Sequence, residues 1–151
     1  MSKLLVISHR GNTEGRIPEK ENSPEYIQNA VDFGFRVEVD VWFQDGSFFL
    51  GHDFPQYKTT LSWLRENPLW CHAKNRDAFE RLLHGGLHCF WHETDKWTIT
   101  SKGVVWAYPN NPMKDCILVA LEKWDAEKHS TLKEIRGVCT DYPVSWLSKT
   151  D

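Results

Sequence analysis

Four short polar clusters in the first third of the chain carry the residue types that handle phosphate. They are His9-Arg10-Gly11, Glu21-Asn22-Ser23, Glu38-Val39-Asp40 and Gly51-His52-Asp53. Paired carboxylates such as Glu38 and Asp40 can hold a hard divalent cation. Arginine can fork onto phosphate oxygens. Two imidazoles titrating near neutrality can give and take a proton. A fifth cluster, His72-Ala73-Lys74, adds one more nitrogen ligand and one more cation. Singly, each cluster is weak, because a histidine at a strand end is usually a hydrogen-bonded structural residue. Their company is what raises them above that reading.

The elements that must position these residues are legible from pattern. Leu4 to Ser8 is apolar on both faces, as in a strand of a parallel sheet covered by helices. Gly11 to Lys20 forms a loop. Ser23-Pro24-Glu25 then opens a helix, with Ser as cap, Pro at the first helical position and an acid in the first turn. Gly34 ends it. Phe35 to Phe43 is the second strand, whose alternation puts Glu38 and Asp40 on one face and Val37, Val39 and Val41 on the other. Two adjacent acids on a strand flanked by Val, Trp and Phe need a counter-charge. Asp45-Gly46 signals a hairpin that returns through Phe48 to Leu50 and delivers His52.

Further along, a short helix is expected at about Thr59 to Glu66, and a third strand at Leu69 to Lys74 with His72 and Lys74 on one face. A helix at Arg76 to His84 stops at Gly85-Gly86. Strand-like runs follow at His88 to Glu93, Trp97 to Thr100, Val104 to Tyr108 and Ile117 to Leu121. Ser130 to Arg136 reads as helical, and Val138 to Thr140 as a last strand running into Asp141. Alternating strands and helices indicate an α/β fold with a mainly parallel sheet in one domain, residues 1–151. The polar residues follow the apolar body of each strand, so they lie at the carboxyl ends, where a (β/α) barrel or an open doubly wound sheet places its site.

Five clusters, in order over residues 9 to 53, resemble the glycerophosphodiester phosphodiesterase family: His9-Arg10-Gly11, Glu21-Asn22-Ser23, Glu38-Val39-Asp40, Asp45-Gly46 and His52-Asp53. The ending Gly137-Val138-Cys139-Thr140-Asp141-Tyr142-Pro143 is similar too. The resemblance implies a compact TIM-type barrel, here with reduced helices and short loops, since full barrels usually exceed about 200 residues. It implies metal-dependent hydrolysis of a small glycerophosphodiester-like substrate to a phosphomonoester and an alcohol. Carried over residue by residue, it makes Glu38 and Asp40 metal ligands and His9 and His52 the acid–base pair, in unassigned order. Arg10 becomes a phosphate contact and Glu21 a supporting acid. Where the family has Glu-x-Lys, this chain has His72-Ala73-Lys74, so Lys74 faces phosphate and His72 replaces a carboxylate ligand. The implied cofactor is one divalent cation, Mg²⁺ or Ca²⁺, with Mn²⁺ or Zn²⁺ brought into range by the His72 nitrogen. Only 18 residues separate Asp53 from His72, where the family commonly inserts a longer covering segment.

Bulk properties set the remaining expectations. An apolar fraction of 40% and a charged fraction of 26% are those of an ordinary globule. A net charge of -3 gives no basic face for nucleic acid. No apolar run reaches the length of a membrane span, and Met1-Ser2-Lys3 leads straight into a strand rather than a signal segment, so the expected location is cytoplasmic. Cys71, Cys89, Cys116 and Cys139 lack paired spacing and read as buried free thiols. His92 and Glu93 are placed at a pocket mouth without a catalytic role, Asp141 behind the site, and His84 and His129 at the surface. The competing expectation is a non-catalytic phosphate-binding protein on the same barrel, with His72 as the discriminating residue.

Overall fold

The structure, a computed structural model, describes residues 3–130, 132 and 134–150. In chain order its elements are β1 (Leu5–His9), α1 (Pro24–Phe33), β2 (Arg36–Gln44), β3 (Ser47–Leu50), β4 (Tyr57–Thr59), α2 (Leu61–Glu66), β5 (Leu69–Ala73), α3 (Arg76–His84), β6 (Cys89–Trp91), β7 (Trp97–Ile99), β8 (Val105–Ala107), β9 (Ile117–Val119), α4 (Ala126–Ser130), β10 (Gly137–Thr140) and α5 (Pro143–Thr150). The fold is α/β, a curled mixed sheet with few helices. Seven strands run parallel in the order β6-β5-β2-β1-β10-β9-β8. The outer half of β2 carries the antiparallel β3 and then β4, and β7 pairs antiparallel with β8.

Curling follows from side-chain size on the concave face. Ile7 of β1, Trp70 of β5, Phe90 of β6, Trp106 of β8, Ile117 of β9 and Cys139 of β10 meet in a single buried cluster. Three large aromatics at its centre fill a volume that a flat sheet would leave open. A closed barrel is not shown, because no ladder among the described residues joins β6 to β7 or β8. The seam is spanned instead by individual bonds: Thr98 Oγ1 donates to the Trp91 carbonyl at 2.9 Å and Ser101 N to the Cys89 carbonyl at 2.8 Å.

The convex face carries the helices. Ile27 and Ala30 of α1, with Ala78 and Leu82 of α3, pack on Val37, Val39 and Val41. That burial sends Glu38 and Asp40 inward, as the alternation of β2 predicts. Ser23 Oγ accepts from Tyr26 N, Pro24 starts α1, and Gly34 closes it at φ 114° while its N–H bonds back to Ala30 and Val31 carbonyls. On the other side, Trp146 of α5 packs against Val6, Leu118 and Val138. All four cysteines are buried and free. No described helix is long and apolar enough to cross a membrane.

Local differences from the expected elements lie mostly in the second half. The helix expected over Ser130 to Arg136 lies earlier, over α4, because the Asp125 carboxylate accepts from Lys128 N and caps that turn. Leu132 and residues 134–136 are not helical, and 131 and 133 lie outside the described residues. Tertiary bonds hold the later stretch extended: Asp115 N donates to the Glu134 carbonyl and Arg136 N to that of Cys116, both at 2.8 Å. The last strand stands as expected, and beyond it Pro143 opens a further helix, α5. β4 is a strand for which the sequence pattern carried no expectation, and Thr60 caps α2 one residue inside the expected start. The Met1-Ser2 part of the leader reading lies outside the described residues.

Candidate functional site

A cavity of about 480 Å³ opens at the carboxyl ends of the parallel strands. Its walls include His9, Arg10, Glu38, His52, His72 and Lys74, so it gathers residues from four of the polar clusters. Parallel register brings them together. His9 pairs with Glu38 across β1 and β2, and Asp40 with His72 across β2 and β5. Paired residues on parallel strands share a face, so these side chains point into the concave side. Lys74 follows β5 directly and is anchored by its N–H to the Val41 carbonyl at 2.8 Å.

Glu38 is 3% exposed and Asp40 fully buried. Ligand atoms of Glu38, Asp40 and His72 all lie within 4.8 Å of one another. Asp40 Oδ1 and Glu38 Oε1 are buried without a hydrogen-bond partner. An orphaned carboxylate oxygen in a dry site costs free energy unless positive charge meets it. His72 aims Nδ1 between the two carboxylates, 3.2 Å from the orphaned Asp40 Oδ1 and 3.9 Å from the other Glu38 oxygen, Oε2. Its Nε2 lies 3.3 Å from the His92 carbonyl. A carbonyl only accepts, so Nε2 carries the proton there, the second bond typical of metal-ligating imidazoles. In the neutral ring the lone pair on Nδ1 then faces two carboxylate oxygens. That arrangement is satisfied by a cation between them or by a second proton on the ring. The donor set therefore fits a divalent ion, with one nitrogen and two carboxylates.

Asp40 is the most heavily supported of the acids. Asn22 Nδ2 donates to its Oδ2 at 2.9 Å, and its own N–H donates to Asn22 Oδ1 at 3.0 Å. Arg10 Nε lies 3.1 Å from Oδ2. Burial opposes its charge, but the His52 and His72 rings, when they carry a proton toward it, and the Arg10 guanidinium hold its carboxyl well below the usual range. Glu38 moves the other way: burial and the neighbouring Asp40 push its carboxyl up, against the pull of His9, Arg10 and His72. Two acids with opposed shifts on one strand form a site that one positive charge can bridge.

His9 ends β1 with Nδ1 2.7 Å from Asp141 Oδ1, while Nε2 lies 3.8 Å from Glu38 Oε1. Burial opposes protonation, yet the Asp141 hydrogen bond and the Glu38 charge outweigh it and raise the His9 pKa. Asp141 thus orients the ring and leaves Nε2 toward the cavity. It shares Asn12 with Glu21: Asn12 Nδ2 is 3.0 Å from Asp141 Oδ1 and 2.8 Å from Glu21 Oε2.

Arg10 takes a left-handed backbone conformation, φ 58°, unusual for a non-glycine residue and a recurring feature of functional sites. Bonds from Arg10 N to the Glu38 carbonyl (2.9 Å) and from Asn22 N to the Arg10 carbonyl (3.0 Å) hold it so. Its Nη1 meets Glu21 Oε1 at 3.3 Å and Nη2 meets His52 Nδ1 at 2.6 Å. Guanidinium only donates, so His52 accepts and is neutral in this arrangement. Arg10 therefore spends its fork on Asp40, Glu21 and His52, while its edge lines the cavity. Glu21, 7% exposed, is the structural counter-charge of Arg10 and Arg16. His52 rides on a loop tied to β2 at two points: Gly51 N donates to the Asp40 carbonyl, and Trp42 Nε1 to the Gly51 carbonyl at 2.7 Å. Gly51 has φ 154°, and a Cβ there would stand 2.1 Å from the Phe54 carbonyl. Only glycine fits this turn.

All eight residues singled out from the sequence fall in or beside this cavity. Two others, Asn12 and Asn22, went unassigned a place in it. Asn12 gives no local signal beyond its distance of two residues from Arg10. Asn22 carries one, because asparagine tolerates the left-handed φ of 67° that this turn needs. Asp141, expected behind the site, makes the shortest bond to His9. His92 and Glu93 line the mouth, where the His92 ring stacks on Tyr108 at 3.5 Å.

Comparison with protein-family models, with curated proteins and with solved structures finds no match to this chain.

Proposed function

We propose that the chain is a metal-dependent phosphodiesterase acting on a small glycerophosphodiester-like substrate, its curled sheet a reduced TIM-type barrel. One observation carries this reading. Two buried carboxylates, each with one oxygen lacking a hydrogen-bond partner, and an imidazole have ligand atoms within 4.8 Å of one another beside a cavity that also holds two further histidines, Arg10 and Lys74. Glu38, Asp40 and His72 would hold the ion, which supplies Lewis-acid charge to the phosphate. Lys74, in no ion pair among the described residues, neutralises phosphate oxygens as a point charge. His9, protonated beside Asp141, is suited to deliver a proton to the leaving alcohol from Nε2. His52 is neutral and serves as base once its nitrogen leaves Arg10, an exchange that a bound phosphate promotes by competing for the same guanidinium.

A second reading is favoured by a specific observation. Arg10 is engaged by three partners, and His72 stands where a carboxylate would bring a further charge. A barrel that binds phosphate without cleaving it has these features too. Hydrolysis of bis(p-nitrophenyl) phosphate and of glycerol-phosphate diesters by EDTA-stripped protein separates the two. With Mg²⁺, Ca²⁺, Mn²⁺ and Zn²⁺ restored in turn, turnover is expected to return with at least one ion. Glu38→Gln and His9→Ala are each expected to lower it by about 10²-fold or more. Full activity in both variants refutes the site; binding of diester without turnover under any ion leaves the binding protein.

A further inference from the structure

The opposite end of the sheet carries a second cavity, of about 340 Å³, that the candidate site does not use. Arg36 opens β2, Leu69 opens β5 and His88 immediately precedes β6, so this cavity lies at the amino ends of the parallel strands. Arg36, Arg65 and Lys102 line it, and no aspartate or glutamate does. In a chain of net charge -3, three cations around one concavity run against the bulk balance. Among the described residues none of the three is in an ion pair. Arg65 is held in place by its Nη2 bond to the Gly85 carbonyl at 3.1 Å.

The inner wall supplies a neutral donor. The His88 ring packs on Trp70 with centroids 3.9 Å apart, and its Nε2 lies 2.7 Å from Thr100 Oγ1. That hydroxyl already accepts from Val104 N at 3.2 Å and Lys102 N at 3.4 Å. With both acceptor positions used, the hydroxyl proton goes to His88 Nε2, so the ring proton sits on Nδ1. Burial, with Lys102 and Arg36 nearby, keeps this imidazole uncharged at neutrality. The cavity thus offers the Arg36 fork, an Arg65 guanidinium anchored through Nη2 at Gly85, one ammonium and one ring that holds its proton on Nδ1, with no acidic side chain lining it.

We infer that this cleft binds a small phosphate-bearing dianion. Planar guanidinium groups match phosphate oxygens in pairs and lysine completes the charge. The volume is that of a small-ligand pocket rather than an extended groove. One concave cluster on an acidic protein does not provide the continuous basic face that a nucleic acid backbone requires.

The test uses ¹⁵N-labelled full chain at constant ionic strength near 0.15 M, where unspecific attraction is screened. It is titrated with inorganic phosphate, and in parallel with vesicles containing an anionic phospholipid. Saturable shifts are expected for the Gly86, Leu87, His88 and Lys102 amides. They persist in Lys74→Gln, which alters only the carboxyl-end cavity. In the double variant Arg36→Gln/Lys102→Gln the affinity falls by at least about tenfold, as loss of charge-assisted bonds implies, with the remaining spectrum unchanged. Both arginine and lysine are exposed, so folding survives their replacement. Linear shifts without saturation, saturation untouched by the double variant, or binding to vesicles alone would each overturn the inference.

Discussion

Glu38→Gln separates two effects of one buried carboxylate, and their sizes can be worked out from its surroundings. Without a cation, the charge on Glu38 is opposed by burial and by Asp40 beside it, which raise its pKa. A group with a raised folded pKa stabilises the fold when protonated and loses that contribution as pH rises through its folded value. At pH 7 the glutamine variant, neutral and nearly isosteric, is therefore expected to be more stable than the ion-free wild type. A gain on the order of 1–3 kcal/mol follows from removing the charge on a buried carboxylate with an unpartnered oxygen beside Asp40. For a chain of 151 residues, 1 kcal/mol moves the melting temperature by about 2–4 °C. Metal reverses the order. At a free ion concentration of 100 Kd, the wild type gains about 2.7 kcal/mol, or roughly 5–10 °C, and the variant gains little. Calorimetric melting of EDTA-stripped protein, with and without each ion, reads both effects. A wild-type melting temperature indifferent to every ion, or a variant that responds equally, would refute the argument from unpartnered oxygens.

Three further outcomes are expected. Asn22→Ala removes both bonds to Asp40 and leaves a buried N–H and a carboxylate oxygen short of partners. It should cost about 2–4 kcal/mol in urea denaturation, and a loss under about 0.5 kcal/mol contradicts that bookkeeping. Asp141→Asn takes the charge off the acceptor that, with Glu38, lifts His9 against the effect of burial, so the His9 ring in an NMR titration should protonate at lower pH than in the wild type; an unchanged midpoint assigns the shift elsewhere. His88 is depressed to about 4 by burial, with Lys102 and Arg36 adding to it. Above the ordinary histidine value of 6.5 neither state binds this proton. Between 6.5 and about 4 only the unfolded chain does, so stability falls as pH falls across that window. His88→Gln should flatten that part of the melting-temperature profile, and an equally steep profile removes His88 as its source.

Much of the site's wiring was readable before any tertiary information. β2 alternates cleanly between valines and acids, so burying one set against helices sends the other to the concave face. The cap of α1 is equally local, since Ser23, Pro24 and Gly34 each satisfy a requirement of a helix end. The hairpin at Asp45-Gly46 and the strand carrying His72 and Lys74 rest on the same short-range logic. What failed was also short-range in origin. Ser130 to Arg136 has helical residues, but Asp125 caps an earlier turn and long-range bonds hold the later one extended. Past the last expected strand, Pro143 starts α5, a helix that the pattern did not announce.

By itself, then, the sequence determined an α/β chain with its chemistry-bearing residues at strand ends, because periodicity and caps are properties of neighbouring residues. The tertiary structure alone decided the partnerships. Asp141 reaches His9 across 132 positions, and Asn12 ties Asp141 to Glu21, only because β10 pairs with β1 in parallel register. It decided the seam beside β6, where an antiparallel β7 stands in place of another parallel unit. It also decided that Arg10 is spent largely on carboxylates and His52, since a buried guanidinium is claimed by whichever acids the fold brings within reach. Register and burial are sums over the whole chain, and no window of sequence contains them.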